Sequence, residues 1–229
     1  MEPNWLDYDL YLFDLDDTLI NTRAALRASW THALQHPQLQ HQTSDEWIEL
    51  LRAFTRQFGT TADREYWQAF AVEVTGELLQ PHPLAEELRE MHRAHYWTAL
   101  RPAENVAELL GSLRDLSKRL ALVTNGLIEF QTEKLRGTNL LSFFSPETIF
   151  CSDRYDWRKQ KPSPHMIQQA IARANVTPER TIFFGNASID ILAGNLAGVT
   201  TVAVVDIPNP QQVRLLQPDY ELLVWPQHF

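Results

Sequence analysis

Short apolar runs and helical repeats alternate at the start of the chain and through its second half. The apolar and β-branched runs predict strands over residues 8–14, 120–124, 148–151, 181–184 and 201–205, and more weakly over 222–225. Helical spacing predicts helices over residues 129–136, 164–174, 189–197 and 211–216, preceded by one over 106–116. Strands that are apolar throughout and alternate with helices indicate a parallel sheet covered on both faces, and therefore an α/β fold.

The segment from residue 21 to residue 96 has a different pattern and contains no convincing strand. Two stretches, 47–58 and 67–78, carry apolar residues at helical spacing. Thr43 and Glu46 form a capping box before the first stretch, and we expect Gly59 to end it. The pattern predicts an inserted helical bundle whose aromatic residues form its own core. The predicted domains are residues 1–20 together with 97–229 and, between them, residues 21–96.

Composition and charge limit the classes of function. The 229 residues are 44% hydrophobic, which is ordinary for a globular protein, and the net charge is -9 at pH 7. Because an acidic surface repels the phosphate backbone of nucleic acid, we expect no nucleic-acid partner. Residues 1–10 carry no basic side chain and the longest apolar runs are strand-sized, so we expect a cytoplasmic protein without a signal peptide or membrane span. A monomer and a homodimer both stay open.

Polar side chains follow the predicted strands at the points where these strands end. In an open α/β sheet, ligands bind beyond the carboxyl ends of the strands, so these side chains should meet at one edge. The residues concerned are Asp14, Asp16 and Thr18 after the first strand, Thr124 and Asn125 after the second, Lys161 before a proline-started helix, and Asn186 with Asp190 after the fourth.

Together these residue types suit phosphoryl transfer. Asp14 can attack phosphorus and form an acyl phosphate, and Asp16 can protonate the leaving alcohol and then deprotonate water. A divalent cation would reduce the repulsion between Asp14 and the substrate. Thr124 and nearby backbone N–H groups can donate to phosphoryl oxygens, and Lys161 supplies positive charge. We expect a small-molecule phosphomonoester, such as a nucleotide, a sugar phosphate or phosphoglycolate, as substrate.

The ordered motifs resemble those of the haloacid dehalogenase superfamily, in its phosphatase branch. The family's first motif, DxDxT, matches residues 14–18, and the second, a Thr or Ser after the next strand, matches Thr124. The third, Lys before Pro, matches Lys161, and the fourth, GDxxxD, matches residues 185–190 apart from Asn186. The resemblance implies a Rossmann-like core with the first strand central, a helical cap that closes over the site, and Mg²⁺ as cofactor.

The resemblance also implies roles for individual residues. Asp14, the backbone carbonyl of Asp16 and the side chain at position 186 would bind the metal, and Asp190 would orient ligands or Lys161. Thr124 and Asn125 would bind phosphate together with Lys161. The stretch 123–126 with Gln131 and Lys134 is similar to nucleotidase-like members of the family.

Asn186 stands where the family has an aspartate that binds metal. The amide oxygen is still an acceptable ligand for a hard cation, but it carries no charge, and the loss should weaken magnesium binding by about 1–3 kcal/mol. An active phosphatase with weak metal binding, a deliberate substitution that traps ligand, and a binding module without turnover are the three interpretations. A metal-free dehalogenase is a fourth, although Asp16 is unexpected there because a halide leaves without a proton.

Other chemistry-bearing residues have ordinary structural interpretations. The single cysteine, Cys151, is expected to be a buried thiol, since one cysteine forms neither an internal disulfide nor a cysteine zinc site. His92 and His95 lack a third metal ligand nearby and are interpreted as surface or insert residues. Asp17 is expected to face solvent or cap a helix, and Ser188 to start one.

Overall fold

The computed structural model of the chain describes residues 4–39, 44–58, 64–205 and 215–226. Thr43 and Gly59, the expected start and stop signals of one helix, lie outside these ranges, as does most of the helix predicted over 211–216. The chain divides into two units, one formed by Met1–Asn21 with Arg101–Phe229 and the other by Thr22–Leu100. The cap role that the resemblance implies for the second unit stays a prediction.

A parallel sheet lies at the centre of the first unit. Its six strands run in the order β3-β2-β1-β4-β5-β6, and every described pairing is parallel. The first strand is therefore central, and the predicted α/β, Rossmann-like class is confirmed. The strands are β1 Leu10–Phe13, β2 Arg119–Thr124, β3 Ile149–Cys151, β4 Thr181–Gly185, β5 Thr200–Val204 and β6 Tyr220–Leu222.

The sixth strand differs from its prediction, which placed it over residues 222–225. β6 ends at Leu222, and the ring of Trp225 packs against the rings of Phe13 and Phe184, at 6.0 and 5.1 Å between centroids. Trp225 is 3% exposed. Burying the Trp225 indole contributes more to stability than one further residue pair in an edge strand would. The apolar residue that suggested a strand is therefore part of the core.

Helices and aromatic residues cover the sheet. Leu10, Leu12 and Val123 pack with residues of α7 and α8 in one buried cluster, whereas the alternate β1 residue Phe13 stacks on Phe184 across the other face. Side chains of β1 thus point alternately to the two faces of the sheet and pack in the apolar layer on each face. This explains why the strand is apolar throughout. The helices of this unit are α5 Val106–Asp115, α6 Ile128–Gly137, α7 His165–Ala174 and α8 Ser188–Ala197.

The second unit is helical where it is described. Its helices are α1 Thr22–Ala33, α2 Ser44–Phe58, α3 Arg64–Thr75 and α4 Pro83–Ala99. Trp47, Trp67 and Phe70 are buried together, so the aromatic residues form this unit's own core as expected. The prediction was wrong at Leu78, which is 87% exposed, because α3 ends at Thr75 and Gly76 turns the chain with a φ of 72°.

None of the helices in the described ranges has both the length and the hydropathy that crossing a membrane would require.

Candidate active site

The loop after β1 turns back on itself and brings a hydroxyl to the first carboxylate. The carbonyl of Leu15 accepts from the backbone N–H groups of Thr18, Leu19 and Ile20, and Asp17 adopts a φ of 58°. Asp17 therefore serves the turn with its backbone, in a region that few residue types other than Gly, Asn and Asp adopt readily. Thr18 Oγ1 then lies 3.1 Å from Asp14 Oδ2 and donates to it.

Lys161 contacts groups from β2, from the segment after β1 and from the first turn of α8. Its buried ammonium lies 2.6 Å from Asp14 Oδ1, 2.6 Å from Asp190 Oδ1 and 3.0 Å from the carbonyl oxygen of Val123. The ammonium donates hydrogen bonds to Asp14 and to the Val123 carbonyl, and it forms an ion pair with Asp190. Lys161 is therefore held in one place, and it holds the Asp14 carboxylate in turn.

The buried cluster carries two carboxylates and one ammonium. Burial raises the pKa of Asp14 above its ordinary value, the charge of Lys161 opposes the rise, and Asp190 adds to it. Burial disfavours the charged form of Lys161, but Asp14 and Asp190 raise the pKa of its ammonium above the usual range. Lys161 therefore stays protonated throughout the physiological range.

Asp190 reaches Lys161 only because residue 185 has no side chain. A Cβ added at Gly185 would lie 2.3 Å from the Cβ of Asp190, closer than real contacts allow. The other oxygen of Asp190 accepts from the backbone N–H of Ala187 at 2.9 Å, at the start of α8. A carboxylate in the first turn is also favoured by the helix dipole. That Asp190 orients ligands or Lys161 stays a prediction.

Asn125 holds the backbone that carries Lys161. Its side-chain oxygen accepts from the Lys161 N–H at 2.9 Å, and its side-chain amide donates to the Lys161 carbonyl at 3.0 Å. The carboxamide that was expected to bind phosphate is thus engaged with the protein. If Asn125 contributes to phosphate binding, its backbone N–H is the group that remains for the task.

Asp16 is held from α6. Gln131 Nε2 donates to one oxygen of its carboxylate at 2.9 Å, and Lys134 Nζ lies 2.6 Å from the other. Gln131 also donates to Thr124 Oγ1 at 2.9 Å. In the sequence, Gln131 and Lys134 stood out only through a similarity to nucleotidase-like members of the family, which gave neither residue a role. Their spacing of three residues, just after the Thr124 strand, was the available signal.

The side-chain oxygens of Asp14 and Asn186 suit a hard cation, although only Asp14 can supply a negative charge. Asp14 Oδ2 and Asn186 Oδ1 lie 3.1 and 3.3 Å from Thr18 Oγ1, so the two side-chain oxygens lie beside the same hydroxyl. Oxygen ligands of this kind are those that Mg²⁺ accepts. Within the described ranges, however, no group of three or more His, Cys, Asp or Glu side chains could hold a metal, and Asp190 is already paired with Lys161.

A parallel α/β sheet brings a carboxylate–lysine–carboxylate cluster to one edge, and comparison with known proteins gives the family. The sequence model of the family of haloacid dehalogenase-like hydrolases matches residues 11–204. The chain belongs to this family of hydrolases.

Several characterised proteins are similar to the chain along most of its length. Pyrophosphatase PpaX of Anoxybacillus flavithermus is 27% identical, over 95% of this chain and 93% of the relative. Phosphoglycolate phosphatase of Agrobacterium fabrum is 30% identical, over 92% and 86%. Among solved structures, YfnB of Bacillus subtilis, with magnesium bound, has a TM-score of 0.66 at 24% identity and covers 95% of both chains. The last likeness concerns the fold alone.

Proposed function

We propose that the protein is a phosphatase that hydrolyses small phosphomonoesters through an aspartyl-phosphate on Asp14. The observation that carries the proposal is the Lys161 ammonium, which lies 2.6 Å from both Asp14 and Asp190. This contact fixes a buried carboxylate at the carboxyl end of the central strand, where a nucleophile has to be rigid. The names of the relatives, a pyrophosphatase and a phosphoglycolate phosphatase, support phosphate chemistry.

The proposed reaction has two half-reactions. An oxygen of Asp14 attacks phosphorus and forms a new O–P bond while the ester P–O bond breaks, and Asp16 gives a proton to the departing oxygen. Asp16 then takes a proton from a water molecule whose oxygen attacks the same phosphorus. The bond from Asp14 to phosphorus breaks, which releases inorganic phosphate and restores the carboxylate.

The other residues bind and orient. Thr124 donates its hydroxyl hydrogen to a phosphoryl oxygen, and the charge of Lys161 offsets the negative charge that accumulates at phosphorus. Asp14, the backbone carbonyl of Asp16 and Asn186 would hold Mg²⁺. When bound, the ion would supply positive charge that reduces the repulsion between the nucleophile and the phosphate.

Phosphate release from a panel of substrates tests the proposal. The panel contains nucleoside monophosphates, sugar phosphates, 2-phosphoglycolate and pyrophosphate at millimolar Mg²⁺, with the natural sequence, Asn186→Asp and Asp14→Asn. Turnover by the natural sequence and by Asn186→Asp, with none by Asp14→Asn, is the expected result.

Other outcomes distinguish the alternatives. Turnover by Asn186→Asp alone would make the natural protein a binding module that Asn186 keeps inactive. Activity that survives in Asp14→Asn would overturn the proposed nucleophile. Failure of all three on the whole panel, with halide release from a 2-haloacid, would replace the phosphatase with a dehalogenase.

A further inference from the structure

Two side chains of α6 occupy both oxygens of the Asp16 carboxylate. Lys134 Nζ lies 2.6 Å from Oδ1, and Gln131 Nε2 donates to Oδ2 at 2.9 Å. Both side chains are buried polar groups on a helix face that otherwise packs Leu135. A buried lysine and a buried glutamine are costly unless their partners are supplied, so their presence indicates a specific task.

The ammonium of Lys134 is itself held in place. It lies 5.1 Å from the centre of the Phe130 ring, one helical turn away, in addition to its contact with Asp16. A cation over an aromatic face is attracted by the ring, and this contact restricts a side chain that otherwise has many rotamers. Lys134 therefore meets Asp16 at one defined position.

Gln131 links Asp16 to Thr124. Its side-chain amide has two N–H donors, and the two nearest acceptors are Asp16 Oδ2 and Thr124 Oγ1, each at 2.9 Å. The opposite orientation of the amide would place its oxygen against a carboxylate, which is repulsive. Because the Thr124 oxygen accepts from Gln131, the hydroxyl hydrogen is directed away from the amide. Its acceptor is the Asn125 carbonyl at 3.5 Å, a long hydrogen bond that a phosphoryl oxygen of a ligand can replace.

We infer that Gln131 and Lys134 are positioning residues, which place the Asp16 carboxylate for proton transfer and orient the Thr124 hydroxyl toward phosphate. The inference rests on the proposed function, since it assigns work to Asp16 in that reaction. Neither residue touches the reacting atoms: both act through the groups that do. α6 thus sets the acid–base group and a phosphate donor relative to each other.

The test uses the dependence of rate on the leaving group. Formation of the aspartyl-phosphate from benzyl phosphate requires a proton for the departing alkoxide, which is strongly basic. The 4-nitrophenolate that departs from 4-nitrophenyl phosphate is weakly basic and leaves without a proton. The quantity measured is kcat/KM, which reports this first half-reaction for both substrates. Lys134→Met and Gln131→Met keep the side-chain length and remove the donors.

The expected result is selective. Lys134→Met should lose roughly 10- to 100-fold in kcat/KM on benzyl phosphate and no more than about threefold on 4-nitrophenyl phosphate, because correctly placed acids contribute factors of this size or more. Gln131→Met should show the same preferential loss on benzyl phosphate, with a further loss on both substrates because the Thr124 hydroxyl loses its orientation. Asp16→Asn should show the same selectivity to a larger extent. Arg136→Met removes an exposed charge from the same helix and should leave kcat/KM unchanged on both substrates.

Two other outcomes would overturn the inference. Equal losses on both substrates would mean that the α6 residues only support the structure, and unchanged rates on both would mean that their contacts with Asp16 have no role. If the natural sequence hydrolyses neither substrate nor any member of the wider panel, the proposed function fails and the inference fails with it. Circular dichroism on each variant confirms that it is folded.

Discussion

The indole N–H of Trp225 donates to the backbone carbonyl of Thr18 at 3.0 Å. Thr18 is the residue whose hydroxyl contacts both Asp14 and Asn186, so a residue near the C-terminus fixes the loop that forms the candidate site. Asn105 in turn donates to the Trp225 carbonyl at 2.8 Å. The position of Trp225 is therefore set from two sides.

Removing this hydrogen bond should loosen the loop. Trp225→Phe keeps an aromatic ring against Phe13 and Phe184 but leaves the Thr18 carbonyl without its buried donor, which should lower stability by about 1–3 kcal/mol. Turnover should fall as well, because Asp14 loses a rigid neighbour. Thermal unfolding and phosphate release measure the two effects. Trp157→Phe, at a residue 69% exposed, is the matched control and should change neither.

Gly185→Ala should uncouple Asp190 from Lys161. The new Cβ would lie 2.3 Å from the Cβ of Asp190, so Asp190 must move and the ammonium loses one of its partners. We expect a loss of most turnover and about 1–3 kcal/mol of stability, as for other overpacked sites. Gly111→Ala is the control: no atom lies within 4 Å of its added Cβ, and α5 should gain roughly 0.5–1 kcal/mol. Retained activity in Gly185→Ala would show that the pair is dispensable.

Asn186→Asp should tighten magnesium binding. The carboxylate adds one negative charge beside Asp14, worth about 1–3 kcal/mol of attraction for the ion, or roughly a tenfold to hundredfold lower half-activating concentration. Magnesium titrations of phosphate release on both proteins measure this concentration. Gln169→Glu, which adds one negative charge at an exposed position of α7, controls for net charge. An unchanged magnesium dependence would mean that residue 186 is not a ligand.

His92 should make the second unit sensitive to acid. It is buried between the rings of Trp67 and Tyr96, and its Nε2 has no hydrogen-bond partner among the described residues. Burial lowers the pKa of His92 from 6.5 to about 4. Between these two values the unfolded chain binds the proton and the folded chain does not, so stability falls as pH falls from 6.5 to 4, by about 3 kcal/mol in total.

His92→Phe should remove this dependence while keeping the ring contacts. Thermal midpoints measured from pH 4 to pH 8 should fall less steeply on the acid side for the variant than for the natural sequence. Parallel curves for the two proteins would contradict a neutral, buried His92. His36→Phe replaces a histidine that contacts Glu87. This variant tests whether replacing any histidine reduces the loss of stability in acid.

The sequence alone determined the central strands of the sheet and the polar side chains that lie at its edge. Strands that must be covered on both faces are apolar along their whole length, and this pattern is local. The predicted bounds of β1, β2 and β4 are therefore within two residues of the observed ones at either end. Parallel strands end at one edge, which made it possible to predict that Asp14, Thr124, Asn186 and Asp190 meet there.

The tertiary structure alone decided how those groups are held. Lys134 and Asp16 are 118 residues apart, Gln131 and Asp16 are 115 apart, and Trp225 and Thr18 are 207 apart. Such pairs depend on how elements pack, whereas hydrophobic periodicity reports only which face of an element is buried. Hydrophobic periodicity does not show what the Lys134 ammonium, the Gln131 amide or the Trp225 indole contacts. Only their partners in the folded structure show what these groups do.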